Sequence, residues 1–216
     1  LGAAVRDEFT QASFDNDDGA AAWSGPWQEY GESDGPGSGA VAVLNDRKKC
    51  VSGNCLYVGN TASAGKGAGR EVDLGSAVTA ELGFVFSGSS EDAADKVNLE
   101  ISSDGGATWT LLYAYTPGGR KFPQHRDITQ YAASNTQIRF ITGTAGSTGD
   151  FFVDDVEVTY TLPDGSGVTV ALLDSGIAGH SDLGASSVLA HLDFTGSGSS
   201  EDDYGHGTHI AGIIAG

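Results

Sequence analysis

The chain has 216 residues, 39% of them apolar, which is enough to bury a core in one or two domains and excludes a wholly disordered protein. Eleven Lys and Arg against 29 Asp and Glu give a formal net charge of −18, so the chain repels nucleic-acid phosphates and anionic lipid headgroups. We therefore expect neither nucleic acid nor a membrane as a partner. The 33 glycines and 5 prolines favour tight turns between short strands, and the start at Leu1 with no Met leads us to expect a piece of a longer gene product.

Short β-rich runs separated by Gly, Asn, Asp and Ser follow one another from about residue 8 to residue 160. The candidate strands are 40–44, 56–59, 78–87, 96–102, 109–115, 137–142 and 151–160. This number and spacing predict an antiparallel β-sandwich. In the fourth run Val97, Leu99 and Ile101 alternate with Asn98, Glu100 and Ser102, which predicts one buried and one solvated face.

The two cysteines, Cys50 and Cys55, enclose Val-Ser-Gly-Asn, a stretch that lets the chain double back. That turn brings the sulfur atoms within bonding reach, so we predict a disulfide, the alternative being two reduced thiols on a hairpin. A bridged pair predicts export, and hence a secreted, extracellular protein.

The string Ser102-x-Asp104-x-Gly106-x-Thr108-Trp109 resembles the Asp-box of secreted β-proteins. Its carboxylate can accept turn N–H groups and its glycine can take a positive φ, so we interpret it as a structural hairpin. A sialidase is disfavoured, because the sequence has one copy of the motif and no arginine cluster.

The stretch from Phe14-Asp-Asn-Asp-Asp-Gly19 to Phe152-Val-Asp-Asp-Val156 resembles the jelly-roll sandwich modules appended to extracellular bacterial enzymes. The resemblance implies a glycan or protein ligand for this module. If the first and last strands lie side by side, their acidic residues could share a structural Ca²⁺, an ion that takes six to eight oxygen ligands. The candidate ligands are Asp15, Asp17, Asp18, Asp154 and Asp155. The alternative is a solvated acidic loop.

The pattern changes after the Pro/Gly/Ser-rich residues 161–167, which we interpret as a linker. Residues 168–174 form a nearly continuous apolar run ending in Asp174, as expected of a strand buried on both faces of a parallel sheet. We therefore predict a sandwich over 1–160, a linker over 161–167, and a truncated α/β parallel-sheet segment over 168–216.

Three linked motifs lie in the last quarter of the chain: Asp174-Ser-Gly-Ile, His180-Ser-Asp-Leu183 and Asp203-Tyr-Gly-His-Gly-Thr-His-Ile-Ala-Gly212. In order and spacing they resemble the front of a subtilisin-like serine protease. The resemblance, which covers residues 165–216, implies that Asp174 is the triad carboxylate and His206 the triad base, with a helix over 208–214. A zinc pair of His206 and His209 is disfavoured, because the interval differs from the i, i+4 pair of zinc proteases.

The same resemblance implies further roles. Asp182 matches a position that helps to bind structural calcium, and Asp203, Tyr204 and Gly205 precede the base where substrate is bound. An acidic rim of Asp202 and Asp203 there predicts a preference for basic substrate side chains, although a solvated loop explains it equally well.

The leading hypothesis is a secreted serine endopeptidase that acts on polypeptide substrates, preceded by an accessory sandwich. The 216 residues contain no Gly-Thr-Ser-x-Ala motif for the nucleophile, so we expect this polypeptide alone to lack peptidase activity. The rival hypothesis is an extracellular binding or adhesion module with a vestigial protease segment.

Overall fold

A computed structural model describes residues 2–89, 92–116, 118–165, 168–184 and 187–215. The chain divides into two compact units, Leu1–Asp164 and Gly165–Gly216, and each is described by itself. The described residues contain no helix long and apolar enough to cross a membrane.

The first unit is a sandwich of two antiparallel sheets, which confirms the predicted fold class. Its strands are β1 (Gly2–Asp7), β2 (Gln28–Tyr30), β3 (Val41–Leu44), β4 (Cys55–Thr61), β5 (Gly67–Val72), β6 (Thr79–Ser89), β7 (Val97–Ser102), β8 (Thr110–Tyr115), β9 (Phe122–Asp127), β10 (Thr136–Thr142) and β11 (Ser147–Thr161). A 3-10 turn spans Thr129–Tyr131. The six-stranded sheet has the order β3-β4-β11-β6-β9, with β1 also paired to β11, and the five-stranded sheet has the order β2-β5-β10-β7-β8.

The 15-residue strand β11 organises the six-stranded sheet. Its first half pairs with β4 and its second half with β1, while β6 runs along its other side. The β6 register shifts between Asp154 and Glu157, and Asp155 has a φ of 50° there, which marks a β-bulge. First and last strands therefore lie side by side.

Aromatic rings fill much of the space between the sheets. Phe140 packs against Phe84, Phe151 and Trp27, and all four are buried. The alternation in β7 holds for Val97, Leu99 and Ile101, which are fully buried, but the expected solvated position of Ser102 is wrong. Ser102 is buried because its hydroxyl is used inside the turn that follows.

That turn is the Asp-box hairpin between β7 and β8. Thr108 donates its N–H and its hydroxyl to the Asp104 carboxylate, and Ser102 donates a hydroxyl to the same group. These bonds, the one from Ser102 first, lower the pKa of Asp104 to about 2. Gly106 has a φ of 88° and Trp109 Nε1 donates to its carbonyl. The motif is a structural turn, as predicted.

Cys50 and Cys55 form the predicted disulfide. Both are buried in a small cluster with Ala42, Tyr57 and Phe152, on the six-stranded sheet. The bridge therefore ties the loop before β4 to the sheet.

In the second unit the described residues contain one regular element, helix α1 (His206–Ala215). It contains the predicted helix 208–214 and begins two residues earlier. The predicted strand over 168–174 is wrong: Val168, Val170 and Leu173 are exposed and form no ladder. A strand needs a hydrogen-bonded neighbour, and the described part of this unit contains no second strand to pair with it.

Candidate functional site

A carboxylate and an imidazole meet in the second unit. His206 Nδ1 lies 2.8 Å from Asp174 Oδ1 and 2.9 Å from Oδ2. An ionised carboxylate can only accept, so Nδ1 carries the proton and Nε2 is left as the basic atom. The Asp174 side chain is 17% exposed and that of His206 is 68% exposed, so the ring remains accessible while its partner is partly covered.

The pKa shifts of Asp174 and His206 are consistent with this hydrogen bond. The hydrogen bond from His206 lowers the pKa of Asp174, and the backbone N–H of Ser175 adds to this. The hydrogen bond and charge of Asp174 in turn raise the pKa of His206. Each charge therefore stabilises the other, although positive charge at a helix N-terminus is unfavourable by itself.

The backbone at the start of α1 lies in close contact with the turn that follows Asp174. A Cβ at Gly207 would collide with the carbonyl oxygen of Gly176 and lie 3.2 Å from Asp174 Cβ. Gly176 itself has a φ of 125° and lies against the carbonyls of Ser200 and Glu201. Gly207 therefore allows the close contact between the helix and the turn.

Asp202 connects the two chain segments that carry the pair. Its carboxylate accepts from the Ser175 hydroxyl, from the N–H groups of Tyr204 and Gly205, and from both the N–H and the hydroxyl of Thr208. These donors, the Thr208 N–H first, hold the pKa of Asp202 well below its usual range. The sequence predicted Asp202 only as part of an acidic rim on the substrate side. The structure shows that its carboxylate accepts the N–H of Thr208 in the first turn of α1, as a helix-capping acid does.

The residues predicted to bind substrate lie directly before His206. Tyr204 is 88% exposed, Asp203 is exposed, and Gly205 has a φ of 78°. These three residues precede His206 in the sequence, and their role in substrate binding stays a prediction. His209 is exposed, and among the described residues neither His206 nor His209 belongs to a group of three or more metal-ligating side chains.

The candidate calcium ligands of the sandwich do not form a metal-ligand group among the described residues. Asp154 accepts the N–H groups of Val51 and Asp155, and Asp155 pairs with Arg6. Asp18 accepts from Glu8 and Thr10, whereas Asp15 and Asp17 are exposed. Asp182, which was predicted for a separate calcium site in the second unit, is exposed beside His180. The first and last strands do lie side by side, but Asp18, Asp154 and Asp155 accept hydrogen bonds from groups of the protein.

The acidic group that does form among the described residues is Glu29, Glu32 and Asp34, with ligand atoms within 4.8 Å of one another. Lys66 Nζ lies 3.2 Å from Glu32, and the N–H groups of Gly35 and Val41 donate to Glu29 and Glu32. The chain thus supplies its own cation and donors to this loop.

Part of the outer face of the five-stranded sheet combines aromatic and polar side chains, and we call it the β2–β10 face. The Arg139 guanidinium lies 3.8 Å from the Trp109 ring centroid and 4.9 Å from that of Tyr30. Arg139 also donates to Glu100, and Gln137 lies within hydrogen-bonding distance of Tyr30 and donates to Glu71. The members are Tyr30, Glu71, Glu100, Trp109, Gln137 and Arg139.

Comparison with known proteins gives the class of the second unit. The subtilase family model matches residues 165–216. Subtilisin BL of Lederbergia lenta is 53% identical over 51 residues, covering 24% of this chain and 18% of that protein. The minor extracellular protease Epr of Bacillus subtilis is 44% identical over 50 residues, covering 23% of this chain and 7% of Epr. The chain therefore spans less than a fifth of the length of these relatives.

The first unit resembles a module of a different kind. The structure of endo-1,4-β-D-xylanase 10B of Clostridium thermocellum, containing the CBM22-1 and GH10 modules and xylohexaose, aligns with a TM-score of 0.50 at 17% identity. The alignment covers 82% of this chain and 31% of that one, and it shows a shared β-sandwich fold. Residues 165–216 thus match the subtilase family model and are similar in sequence to subtilisins. In this chain a β-sandwich unit precedes them.

Proposed function

We propose that the second unit supplies the carboxylate and the base of a secreted serine endopeptidase that hydrolyses polypeptides. The observation that carries this proposal is the contact of His206 Nδ1 with both Asp174 oxygens, at 2.8 and 2.9 Å. Asp174 fixes the tautomer and stabilises the imidazolium, while Nε2 takes the proton of a serine hydroxyl and returns it to the leaving amine. Asp203, Tyr204 and Gly205 flank the base on the substrate side.

The nucleophile completes this chemistry, and no Gly-Thr-Ser-x-Ala motif occurs in the 216 residues. The polypeptide alone is therefore expected to leave casein intact. Casein hydrolysis by pure material that a serine-directed inhibitor abolishes would contradict this.

A chimera tests the function of the pair. Residues 165–216 replace the matching segment of subtilisin BL, to which they are 53% identical over 51 residues. The chimera is expected to hydrolyse casein, and Asp174→Asn is expected to lower its kcat by about 10⁴-fold, because the imidazole loses its tautomer control. Glu201→Gln, which changes an exposed carboxylate outside the pair, is the matched control. A folded chimera that Asp174→Asn leaves unchanged would overturn the proposal.

A second candidate function, glycan binding by the sandwich, is favoured by the β2–β10 face. Aromatic rings bordered by amide, carboxylate and guanidinium groups offer the apolar surface and the paired donors and acceptors that a neutral sugar uses. The similarity to the xylanase supports the fold only, so this candidate depends on the side chains of the face.

Calorimetric titration with xylohexaose and mannohexaose tests this candidate. Trp109→Ala is expected to weaken binding at least tenfold, and Phe122→Ala, an exposed aromatic on β9 of the other sheet, is expected to leave it unchanged. Absence of heat with either sugar in the folded protein would count against these glycan classes, and equal loss in both variants would exclude the face as the site.

A further inference from the structure

We propose that Asp202 is a positioning residue for His206: its carboxylate ties the turn after Asp174 to the first turn of α1 and so holds the imidazole against Asp174. This inference rests on the proposed function of the Asp174–His206 pair. Asp202 touches neither the imidazole nor the Asp174 carboxylate in any hydrogen bond of the structure, so it acts through the backbone segments that carry them.

The two oxygens of Asp202 serve different segments. Oδ2 accepts the N–H and the hydroxyl of Thr208, each at 2.7 Å, which fixes the first turn of α1 two residues beyond His206. Oδ1 accepts the Ser175 hydroxyl at 2.8 Å, and Ser175 directly follows Asp174. One carboxylate therefore holds a neighbour of each member of the pair.

Two further hydrogen bonds connect the Asp174 turn and the start of α1 directly. Gly207 N–H donates to the Ser175 hydroxyl oxygen at 3.2 Å, so the helix start also binds the Asp174 turn directly. Ala178 N–H donates to the Thr208 hydroxyl oxygen at 2.9 Å, which ties the chain after that turn to α1. Ser175 and Thr208 each donate a hydroxyl proton to Asp202 and accept a backbone N–H, so Asp202 is the common acceptor that orients both.

The charge of Asp202 also acts on His206. Asp202 is held ionised by its donors, and its negative charge contributes to the raised pKa of His206, after the hydrogen bond and charge of Asp174. The positively charged imidazole formed during proton transfer is thus stabilised by one carboxylate in contact and by a second one behind the helix start.

The test uses the 216-residue chain and the Nδ1 proton resonance of His206 in NMR spectra, together with the pKa of its ring. Asp202→Asn presents an amide that no longer accepts all five donors, so the Nδ1 proton is expected to exchange faster and the pKa of His206 to fall. Ser175→Ala removes one side of the tie and leaves the Thr208 cap, so a smaller change in the same direction is expected. Glu201→Gln, which changes the exposed carboxylate directly before Asp202, is the matched control.

The outcomes separate this inference from the proposed function. If Asp174→Asn leaves the Nδ1 resonance and the pKa unchanged in the folded chain, the pair itself fails. If Asp174→Asn abolishes the resonance while Asp202→Asn and Ser175→Ala leave it as in the parent, the positioning role alone is overturned. If Asp202→Asn unfolds α1, the result for Ser175→Ala tests the positioning role, because that variant keeps the contacts between Asp202 and Thr208.

The subtilisin BL chimera gives a second readout. Asp202→Asn is expected to lower kcat by about 10- to 100-fold with little change in KM, because a misplaced base weakens the transition state and not the binding of substrate. An equal fall in kcat for Glu201→Gln, or a rise in KM alone for Asp202→Asn, would contradict the positioning role.

Discussion

Asp7 is a fully buried charge that the fold compensates with several donors. Arg70 NH1 and Trp27 Nε1 donate to Oδ2 at 2.6 and 2.8 Å, and Phe9 N–H donates to Oδ1. Arg70 is itself nearly buried and stacks over Trp23. Removal of one partner therefore leaves the other charge uncompensated in the core.

We predict that Asp7→Ala lowers the free energy of unfolding by about 3–5 kcal/mol, because it strands the Arg70 guanidinium. Urea unfolding followed by tryptophan fluorescence measures it, since all three tryptophans lie in the sandwich. Glu100→Ala breaks the Arg139 pair on the β2–β10 face and is expected to cost about 1 kcal/mol. Equal losses of unfolding free energy in the two variants would contradict the argument that burial makes the Asp7–Arg70 pair more important.

Asp154 gives the sandwich a pH dependence of its own. Burial raises its pKa to about 6, although the N–H groups of Val51 and Asp155 oppose the shift. An unfolded Asp titrates near pH 3.9, so between about pH 4 and pH 6 the folded chain holds a proton that the unfolded chain has released. The stability contributed by this group therefore falls as the pH rises through that range.

We predict a decrease of about 2–3 kcal/mol in the free energy of unfolding from this group between about pH 4 and pH 6.5, absent in Asp154→Asn. The difference between the unfolding curves of parent and variant at each pH isolates it from the other carboxylates. Asp17→Asn, an exposed acid, serves as control. Parallel pH curves for the parent and Asp154→Asn would contradict the prediction.

At the scale of elements, the two glycines of α1 have opposite effects: Gly207 is required by a close contact, and Gly212 is not. Gly207 lies against the Gly176 carbonyl and Asp174, whereas a Cβ at Gly212 would meet open space. Gly207→Ala is expected to separate the helix start from the turn and to abolish the Nδ1 resonance of His206. Gly212→Ala is expected to stabilise the helix by about 1 kcal/mol and to keep that resonance. NMR shifts of residues 206–215 report both, and an intact resonance in Gly207→Ala would contradict the packing argument.

The sequence predicted β3, β4, β6, β7, β8, β10 and β11 and missed β1, β2, β5 and β9. Strand β7 shows its buried face in Val97, Leu99 and Ile101. Among the missed strands, β5 reads Gly-Ala-Gly-Arg-Glu-Val, and β9 is a largely exposed edge strand. The missed strands are defined by pairing, β1 with β11, β2 with β5, β5 with β10 and β9 with β6, which local periodicity does not encode.

For the whole molecule, the two units differ in how they bury apolar side chains. The sandwich encloses a continuous aromatic and aliphatic core, whereas Leu173, Leu189, Leu192 and Phe194 of the second unit are each more than 70% exposed. We predict that limited proteolysis cuts near residues 161–168 and leaves a stable core of residues 1–160, detected by mass spectrometry. Equal resistance of both units would contradict this division.

The sequence by itself determined the chemistry that the chain can carry. The three linked motifs identified Asp174 and His206, the Asp-box predicted its hairpin, and the spacing of Cys50 and Cys55 predicted the disulfide, because each is written in short-range order. Tertiary structure alone decided which groups several carboxylates contact. It brought Asp202 to the Ser175 hydroxyl and Asp155 to Arg6. Such contacts join residues far apart in the chain, and their distances follow from strand pairing and helix packing, which no local pattern specifies.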